Sequence, residues 1–383
     1  MALEALSYVA RPLDEDRGRS ALSAPPESLR DVLYRVAVGG PLEKGLVKQG
    51  FLDLLDVDPR SRDGYLGALM SGIMARGPVE DEVVEVLEAA LALDAIGPDA
   101  ALRAPVTPVV VLAGSGKKGV KTFNVSTLSA LVAAAAGVHV VKIGSKATSS
   151  VMGSRDLVHR LGLPEVLQSA DVLAFVQQHR FAFVPVEDGI PLVDSMYGGR
   201  FHVLSPFSFG LAALVSPVRG DVLVYGLAHP DVGLAARVLR RFGVHRALVV
   251  ASRSAGGYFT DEFGLGERSW TCELRGGAVS EPTEYDLEAE VLPGRLARRA
   301  RHQVTPPRSG DEALRWAVDL LRGRGPEDRA RIVALNAGLY LAAAGTASSL
   351  ADGYDRAMAV LGTGLAYEKM AEVREAAQCA DRQ

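Results

Sequence analysis

The sequence predicts an α/β fold: a small all-helical amino-terminal domain beside a larger α/β domain with a central, mostly parallel sheet. Three observations predict it. Up to about Ala104 the apolar residues recur at helical spacing, and no run reads as a strand. From Pro105 onward, short β-branched apolar runs alternate with helical stretches, the order of βαβ units. Between Val109 and Asp156 one such unit carries glycine- and lysine-rich loops at the carboxyl ends of its strands, where open α/β sheets bind ligands.

Each element has a local reason. Residues 1–27 read as a loose tail, with Pro25 and Pro26 closing a charged stretch. Leu29 to Val38 is amphipathic, Leu42 to Leu55 is a shorter helix, and Arg62 to Arg76 carries Tyr65, Leu66, Leu69, Met70 and Ile73 on one face. Pro78-Val79-Glu80-Asp81 starts a fourth helix, with acidic residues in the first turn, where the helix dipole favours them. The domains divide as 1–104 and 105–383, with a segment near 190–205 expected to pack on the helical domain. In the larger domain, strands Val109 to Leu112 and Val138 to Val141 flank an alanine-rich helix that opens Asn124-Val125-Ser126-Thr127. Val222 to Gly226 reads as a strand, Asp231 to Phe242 as a helix, and Arg246 to Ala251 as a further buried strand. Trp270 to Val279 reads as a hairpin around Arg275-Gly276-Gly277, and Arg329 to Ala377 is helical again.

Composition excludes several classes. A chain of 383 residues with 48% hydrophobic content can bury a sizeable core. Its formal charge of −4 offers no general attraction to nucleic acid or an anionic membrane. Cys272 and Cys379 make neither a disulfide framework nor a metal-ligand pattern. Met1 to Ser20 lacks the apolar core of a signal peptide, and no run is apolar enough to span a bilayer, so a cytoplasmic location is expected.

Chemistry concentrates in one stretch. The strand from Val109 breaks into Gly114-Ser115-Gly116-Lys117-Lys118-Gly119, and the next strand leads to Lys142, Gly144 and Lys146 and a polar cluster ending at Ser154 and Asp156. Of eight lysines, five (Lys117, Lys118, Lys121, Lys142, Lys146) fall in this segment, so their clustering is not a compositional accident. Lysine is a compact point charge, and glycine lets backbone N–H groups approach a ligand closely. Together they predict a phosphate site.

With these residues in view, the chain resembles the anthranilate phosphoribosyltransferase family over nearly its whole length. The family's GTGGD loop and N-[IV]-S-T helix start are similar to Gly114-Ser115-Gly116-Lys117-Lys118 and Asn124-Val125-Ser126-Thr127. Its KHGNR segment and serine-rich loop resemble Lys142-Ile143-Gly144-Ser145-Lys146 and Ser149 to Asp156. Its acidic metal pair follows an RALVV strand, as Asp261-Glu262 follows Arg246-Ala247-Leu248-Val249-Val250. The Leu66 to Met70 region and the tail Leu335-Asn336-Ala337-Gly338-Leu339-Tyr340-Leu341 also have counterparts.

The resemblance implies transfer of a phosphoribosyl group from phosphoribosyl pyrophosphate (PRPP) to a small-molecule acceptor. PRPP would contact Gly114, Ser115, Gly116, Lys117, Lys118, Asn124, Ser126, Thr127, Lys142 and Ser154. Mg²⁺ would be held by Asp261 and Glu262 with Ser126. The chemistry needs orientation and charge stabilisation, with no covalent nucleophile or acid/base residue. A homodimer paired through the amino-terminal helices is implied too, and the apolar faces around Tyr65, Leu69 and Met70 point the same way.

The departures fall on the acceptor side. Lys117 replaces a loop glycine and Lys118 its acidic residue, adding two cations beside the pyrophosphate. Ile143 stands for the family histidine and Ser145 for its asparagine, beside Gly144, and Asp188 stands for a second histidine. The FNxLGPLxNP signature reads Ser208 to Pro217, with Phe209 at the amide position. Arg200 lies a register shift from the arginine expected at anthranilate's carboxylate. These changes predict an aromatic or heterocyclic acceptor other than anthranilate, such as one of specialised metabolism. The alternatives are the genuine anthranilate enzyme of tryptophan biosynthesis, a nucleoside phosphorylase, and a non-catalytic nucleic-acid-binding relative. Remaining candidates carry structural expectations: His139 as a strand residue, His202 and His229 near the cleft, Cys272 inert, Trp270 and Trp316 packing.

Overall fold

Four amphipathic stretches become α1 (Glu27–Val38), α2 (Leu46–Leu52), α3 (Pro59–Arg76) and α4 (Glu80–Leu93) in the computed structural model. It describes residues 24–380 apart from 98–100, 104–106, 118, 148–149, 255, 265–267, 288–291 and 293–304. Asp58 caps α3 by accepting the N–H groups of Arg60 (3.0 Å) and Ser61 (3.2 Å), and Pro59 sits in the first turn, where a missing N–H costs nothing. Leu69 and Met70 of α3 are fully buried within the chain's own core. They are therefore not free to form a dimer face, contrary to the expectation from sequence. The exposed apolar side chains of this layer are instead Tyr34 and Val38 of α1, Leu55, and Val79 before α4.

Beyond α4, β1 (Leu102–Arg103) pairs in parallel with β5 (Val218–Arg219). The main sheet has a parallel core in the order β7 (Arg246–Arg253), β6 (Val222–Gly226), β2 (Val109–Gly114), β3 (His139–Gly144), β4 (Phe181–Pro185). The short β8 (Phe259–Thr260) and the long β9 (Arg268–Arg275) run antiparallel to β7. The predicted hairpin is β9 with β10 (Ala278–Val279), and β11 (Thr283–Tyr285) pairs on β9 as well. The α/β fold class is therefore as the sequence predicts.

Alternate residues of β2 enter different cores. Val109, Val111 and Ala113 pack with the amino-terminal helical layer, while Val110 and Leu112 pack with the carboxy-terminal helices. A sheet covered on both faces reads as unbroken apolar runs, which is why its strands stand out in the sequence. The connecting helices are α5 (Val125–Ala135), α6 (Ser154–Arg160), α7 (Ser169–His179), α8 (Val186–Gly189), α9 (Pro191–Tyr197), α10 (Leu211–Leu214) and α11 (Val232–Arg241). The tail forms helices Gly310–Leu321, Glu327–Ala344, Leu350–Thr363 and Leu365–Ala380, with left-handed glycines Gly345 and Gly364 ending two of them.

α9 returns to the helical layer. The Asp94 carboxylate accepts the N–H groups of Leu192 (2.8 Å) and Val193 (3.0 Å), and the Phe207 ring meets Phe51 of α2 edge-on, centroids 5.7 Å apart. Among the described residues no helix is long and apolar enough to cross a membrane.

Candidate functional site

The chain runs from β2 to β3 and β4 on one side of the sheet, and from β6 to β7 on the other. The connections part between β2 and β6, where Gly114 lies opposite Gly226 in register, and open a crevice at the carboxyl ends of the strands.

The glycine loop forms one wall. Gly116 has φ +65°, and a Cβ built there would meet nothing within 4 Å, so its backbone faces the open cleft. Its N–H donates to the Asp261 carboxylate (3.0 Å). Ser115 braces the loop, its N–H donating to the Gly226 carbonyl (2.8 Å) and its hydroxyl accepting the Ala228 N–H (2.9 Å). Gly226 is needed for closeness: a Cβ there would lie 2.0 Å from the carbonyl oxygen of Asp261.

The opposite wall comes from α5, β3 and α6. Asn124, Ser126, Lys142 and Ser154 all line the cleft, together with Gly114 and Gly116. The Asn124 amide donates to the Met152 carbonyl (3.2 Å), linking two loops. The Asp156 carboxylate folds the second loop by accepting the N–H groups of Ala147 and Gly153, both at 2.8 Å. Lys142 is almost wholly buried, and its ammonium donates to the Ile143 carbonyl. Thr127 differs from expectation: one residue past Ser126 on α5, it is turned into the core and does not line the cleft. Lys118 and Ser149 lie outside the described residues.

Asp261 and the buried Glu262 line the same cleft as Ser126, so two carboxylates and a hydroxyl share its lining. Their loop is clamped from behind by Asn336 in helix Glu327–Ala344. The Asn336 side-chain oxygen accepts the Phe263 N–H (3.0 Å), and its NH₂ donates to the carbonyls of Phe263 (2.9 Å) and Ile332 (3.0 Å).

A second cavity, about 370 Å³, opens on the other side of the glycine loop. Its walls are apolar and aromatic, with Ile143, Val186, Ile190, Tyr197, Phe207 and Leu211, and Gly144 and Ser145 border it. Gly114, Gly116 and Lys117 line both chambers. The Lys117 side chain reaches into this second chamber, its ammonium 3.8 Å from the centre of the Tyr197 ring and donating to the Phe201 carbonyl. Burial lowers its pKa to about 7, with the Asp194 carboxylate pulling the other way.

The chain matches the family described as glycosyl transferase family, a/b domain, over residues 107–367. It belongs to that family. Anthranilate phosphoribosyltransferase of Stenotrophomonas maltophilia is 33% identical over 327 residues, 84% of this chain and 91% of that protein. The enzyme of the same name from Xylella fastidiosa is 35% identical over 263 residues, 68% of this chain and 73% of its own. Among solved structures, anthranilate phosphoribosyltransferase from Thermus thermophilus superposes with a TM-score of 0.69 at 28% identity, over 90% of this chain and 98% of that one. The Saccharomyces cerevisiae enzyme in complex with PRPP and Mg shares the fold, with a TM-score of 0.68 at 16% identity over 91% of this chain and 97% of that one. The chain is thus a phosphoribosyltransferase of the anthranilate phosphoribosyltransferase family.

Three residues expected at the acceptor side lie elsewhere. Arg200 points outward to Asp63 (3.2 Å), because its own turn follows α9 onto the surface of the helical layer. Asp188 is held by Arg155 (2.6 Å), which also binds Glu165 (2.7 Å) and Glu187 (3.5 Å). Phe209 is completely buried against the His229 ring, centroids 5.2 Å apart, and is absent from the cavity walls. His202 is exposed, and burial lowers the pKa of His229. Sequence reasoning gives Asn336 no role of its own. The available signal is a lone amide in an otherwise apolar helical run, which must find partners when buried.

Proposed function

We propose that this enzyme transfers the phosphoribosyl group of PRPP to a small aromatic acceptor, releasing pyrophosphate. The observation that carries the reading is the pair of chambers sharing the Gly114–Lys117 loop: one rich in hydroxyls, lysines and carboxylates, the other with aromatic and aliphatic walls beside Glu187 and Asp194. A polyanionic sugar donor suits the first and a flat ring the second. The anomeric carbon then lies between them, so that leaving group and nucleophile occupy opposite sides. Anthranilate, the acceptor in the relatives' name, is the first candidate. A different aromatic acceptor is the second reading, favoured by the outward position of Arg200.

In this reading Gly116 leaves the pyrophosphate room beside the loop and Lys142 binds it, while Asn124, Ser126 and Ser154 hold the sugar phosphate. Asp261, Glu262 and Ser126 form an all-oxygen donor set that fits Mg²⁺, an ion that takes few protein ligands and keeps phosphate oxygens and waters. When bound, Mg²⁺ neutralises charge on the departing pyrophosphate. No side chain need exchange a proton with the donor, since charge stabilisation alone suffices for its departure.

Gly116→Val is expected to weaken PRPP binding severely, because a β-branched residue is strained at φ +65° and would project into the cleft. Lys142→Ala should cost about 1.5–3 kcal/mol, or roughly ten- to a hundredfold in affinity. Calorimetric titration with PRPP decides both, and unchanged affinity in the two variants ends this reading. Consumption of anthranilate fluorescence in the presence of PRPP and Mg²⁺ separates the first acceptor from the second.

A homodimer through the amino-terminal helices belongs to the same proposal, and Tyr34 and Val38 on α1 are the exposed apolar residues that support it. Light scattering at micromolar concentration should give twice the 40.5 kDa chain mass. Replacing both residues by Asp should return it to the monomer value.

A further inference from the structure

We infer that Arg155 is a positioning residue that couples the two chambers: it keys the β3–α6 loop of the donor chamber to α8, a wall of the second chamber, so that a bound donor fixes that wall. This deepens the reading above and rests on it.

The β3–α6 loop is the partition between the chambers. Ser145 and Lys146 line both, Gly153 and Ser154 line the first, and Val186 and Glu187 of α8 line the second. Arg155 follows Ser154 directly. Its N–H donates to the Ser145 carbonyl (3.0 Å), which closes the loop at its base. The guanidinium then leaves the loop and takes two carboxylates on separate elements, each through two bonds. Asp188 of α8 accepts from Nη1 (2.8 Å) and Nη2 (2.6 Å), and Glu165 accepts from Nε (2.8 Å) and Nη2 (2.7 Å). Glu165 is itself fixed: it bridges to Phe183 of β4, and the next N–H, from Val166, donates to the Phe183 carbonyl (2.9 Å). One side chain thus ties the donor loop to the sheet edge and to α8 at once.

Geometry and charge both make α8 dependent on it. A four-residue helix has too few internal bonds to hold its own place. α8 also meets the loop through Glu187, whose carboxylate accepts the Lys146 N–H (2.5 Å). The other Glu187 oxygen is buried with no hydrogen bond among the described residues, 3.5 Å from the Arg155 guanidinium. Glu165, Glu187 and Asp188 are three carboxylates around one cation, so removing it leaves like charges facing one another. Exposed ion pairs contribute little, but this guanidinium is only 14% exposed and forks onto both partners.

The test is hydrogen exchange across residues 186–194 of the full chain, without and with PRPP and Mg²⁺ at a concentration that calorimetry shows to saturate each protein. The proteins are wild type, Arg155→Met, Arg155→Lys, and Arg155→Met combined with Asp188→Asn. In wild type PRPP should slow exchange there by roughly fivefold or more, and in Arg155→Met by less than about twofold. Arg155→Lys should fall between them, since an ammonium cannot fork onto two carboxylates. Where Arg155→Met folds poorly, the combined variant relieves part of the repulsion at α8 and should fold without regaining the protection. A purely structural role would instead raise exchange with and without PRPP alike and leave their ratio as in wild type. That outcome overturns the inference, as does the absence of protection in wild type. So does loss of PRPP binding by both methionine variants, which would put the side chain in the donor site itself. All three leave the donor-site reading standing, whereas failure of wild type to bind PRPP removes both.

Discussion

Asp261→Asn and Glu262→Gln should each lower kcat/KM for PRPP by roughly two to three orders of magnitude, with little change in fold. The substitutions are close to isosteric, and the amide introduced at position 261 keeps an oxygen to accept the Gly116 N–H now bonded to Asp261 at 3.0 Å. What they remove is charge from the cleft that the two carboxylates and Ser126 line together. If this pair holds the divalent cation, the variants need more Mg²⁺ for half-maximal rate, and the defect lies mainly in the step that expels pyrophosphate. Steady-state rates across a Mg²⁺ titration check this. Unaltered Mg²⁺ dependence with an unaltered rate would show that the acidic pair is only a structural turn.

The parallel core is legible in the sequence because burial on both faces leaves its strands as unbroken β-branched runs, as in Val109 to Leu112 and Arg246 to Ala251. β4 escapes notice because nothing punctuates its start. It follows α7 through a left-handed arginine, Arg180, where a glycine would have signalled the break, and it ends on Pro185. The gathering of the loop residues in one cleft is also legible, since these groups sit on loops whose spacing along the chain survives folding. Gly114, Gly116, Asn124, Ser126, Lys142 and Ser154 are brought together as one wall after another of a single crevice.

The residues expected at an acceptor are less legible for a physical reason. For them the outcome depends on which way a side chain leaves its backbone, and spacing does not encode that. Arg200 reads as an available cation but finds Asp63 on the surface of the helical layer. Phe209 reads as a pocket residue but points into the core beside His229. The loop position of Lys117 suggests the pyrophosphate, yet its left-handed backbone carries the ammonium to the Tyr197 ring. Thr127 follows the same rule: one step along α5 from Ser126 rotates it by about 100° on a 3.6-residue turn, from cleft to core.

Asn336→Leu should destabilise the protein by about 3–5 kcal/mol and lower activity by more than that loss of stability explains. The side chain is buried, and leucine keeps its branched shape at a larger volume, so overpacking adds to the loss of polar partners. The cost comes from the three bonds that Asn336 makes, above all the pair at 3.0 and 2.9 Å that satisfies both backbone groups of Phe263. Left without partners inside the core, those groups seek others, and the shift falls on Glu262 and Asp261, directly before Phe263 in the chain. Asn336 is in this sense a positioning residue for the acidic pair. Chemical denaturation measures the loss of stability, and a double-mutant cycle with Glu262→Gln measures the coupling. If the amide acts through the acidic loop, the effects on kcat/KM are strongly non-additive, because the second change removes a group the first has already displaced. Additive effects on rate beside the same loss of stability would confine Asn336 to tying helix Glu327–Ala344 to the Phe263 backbone.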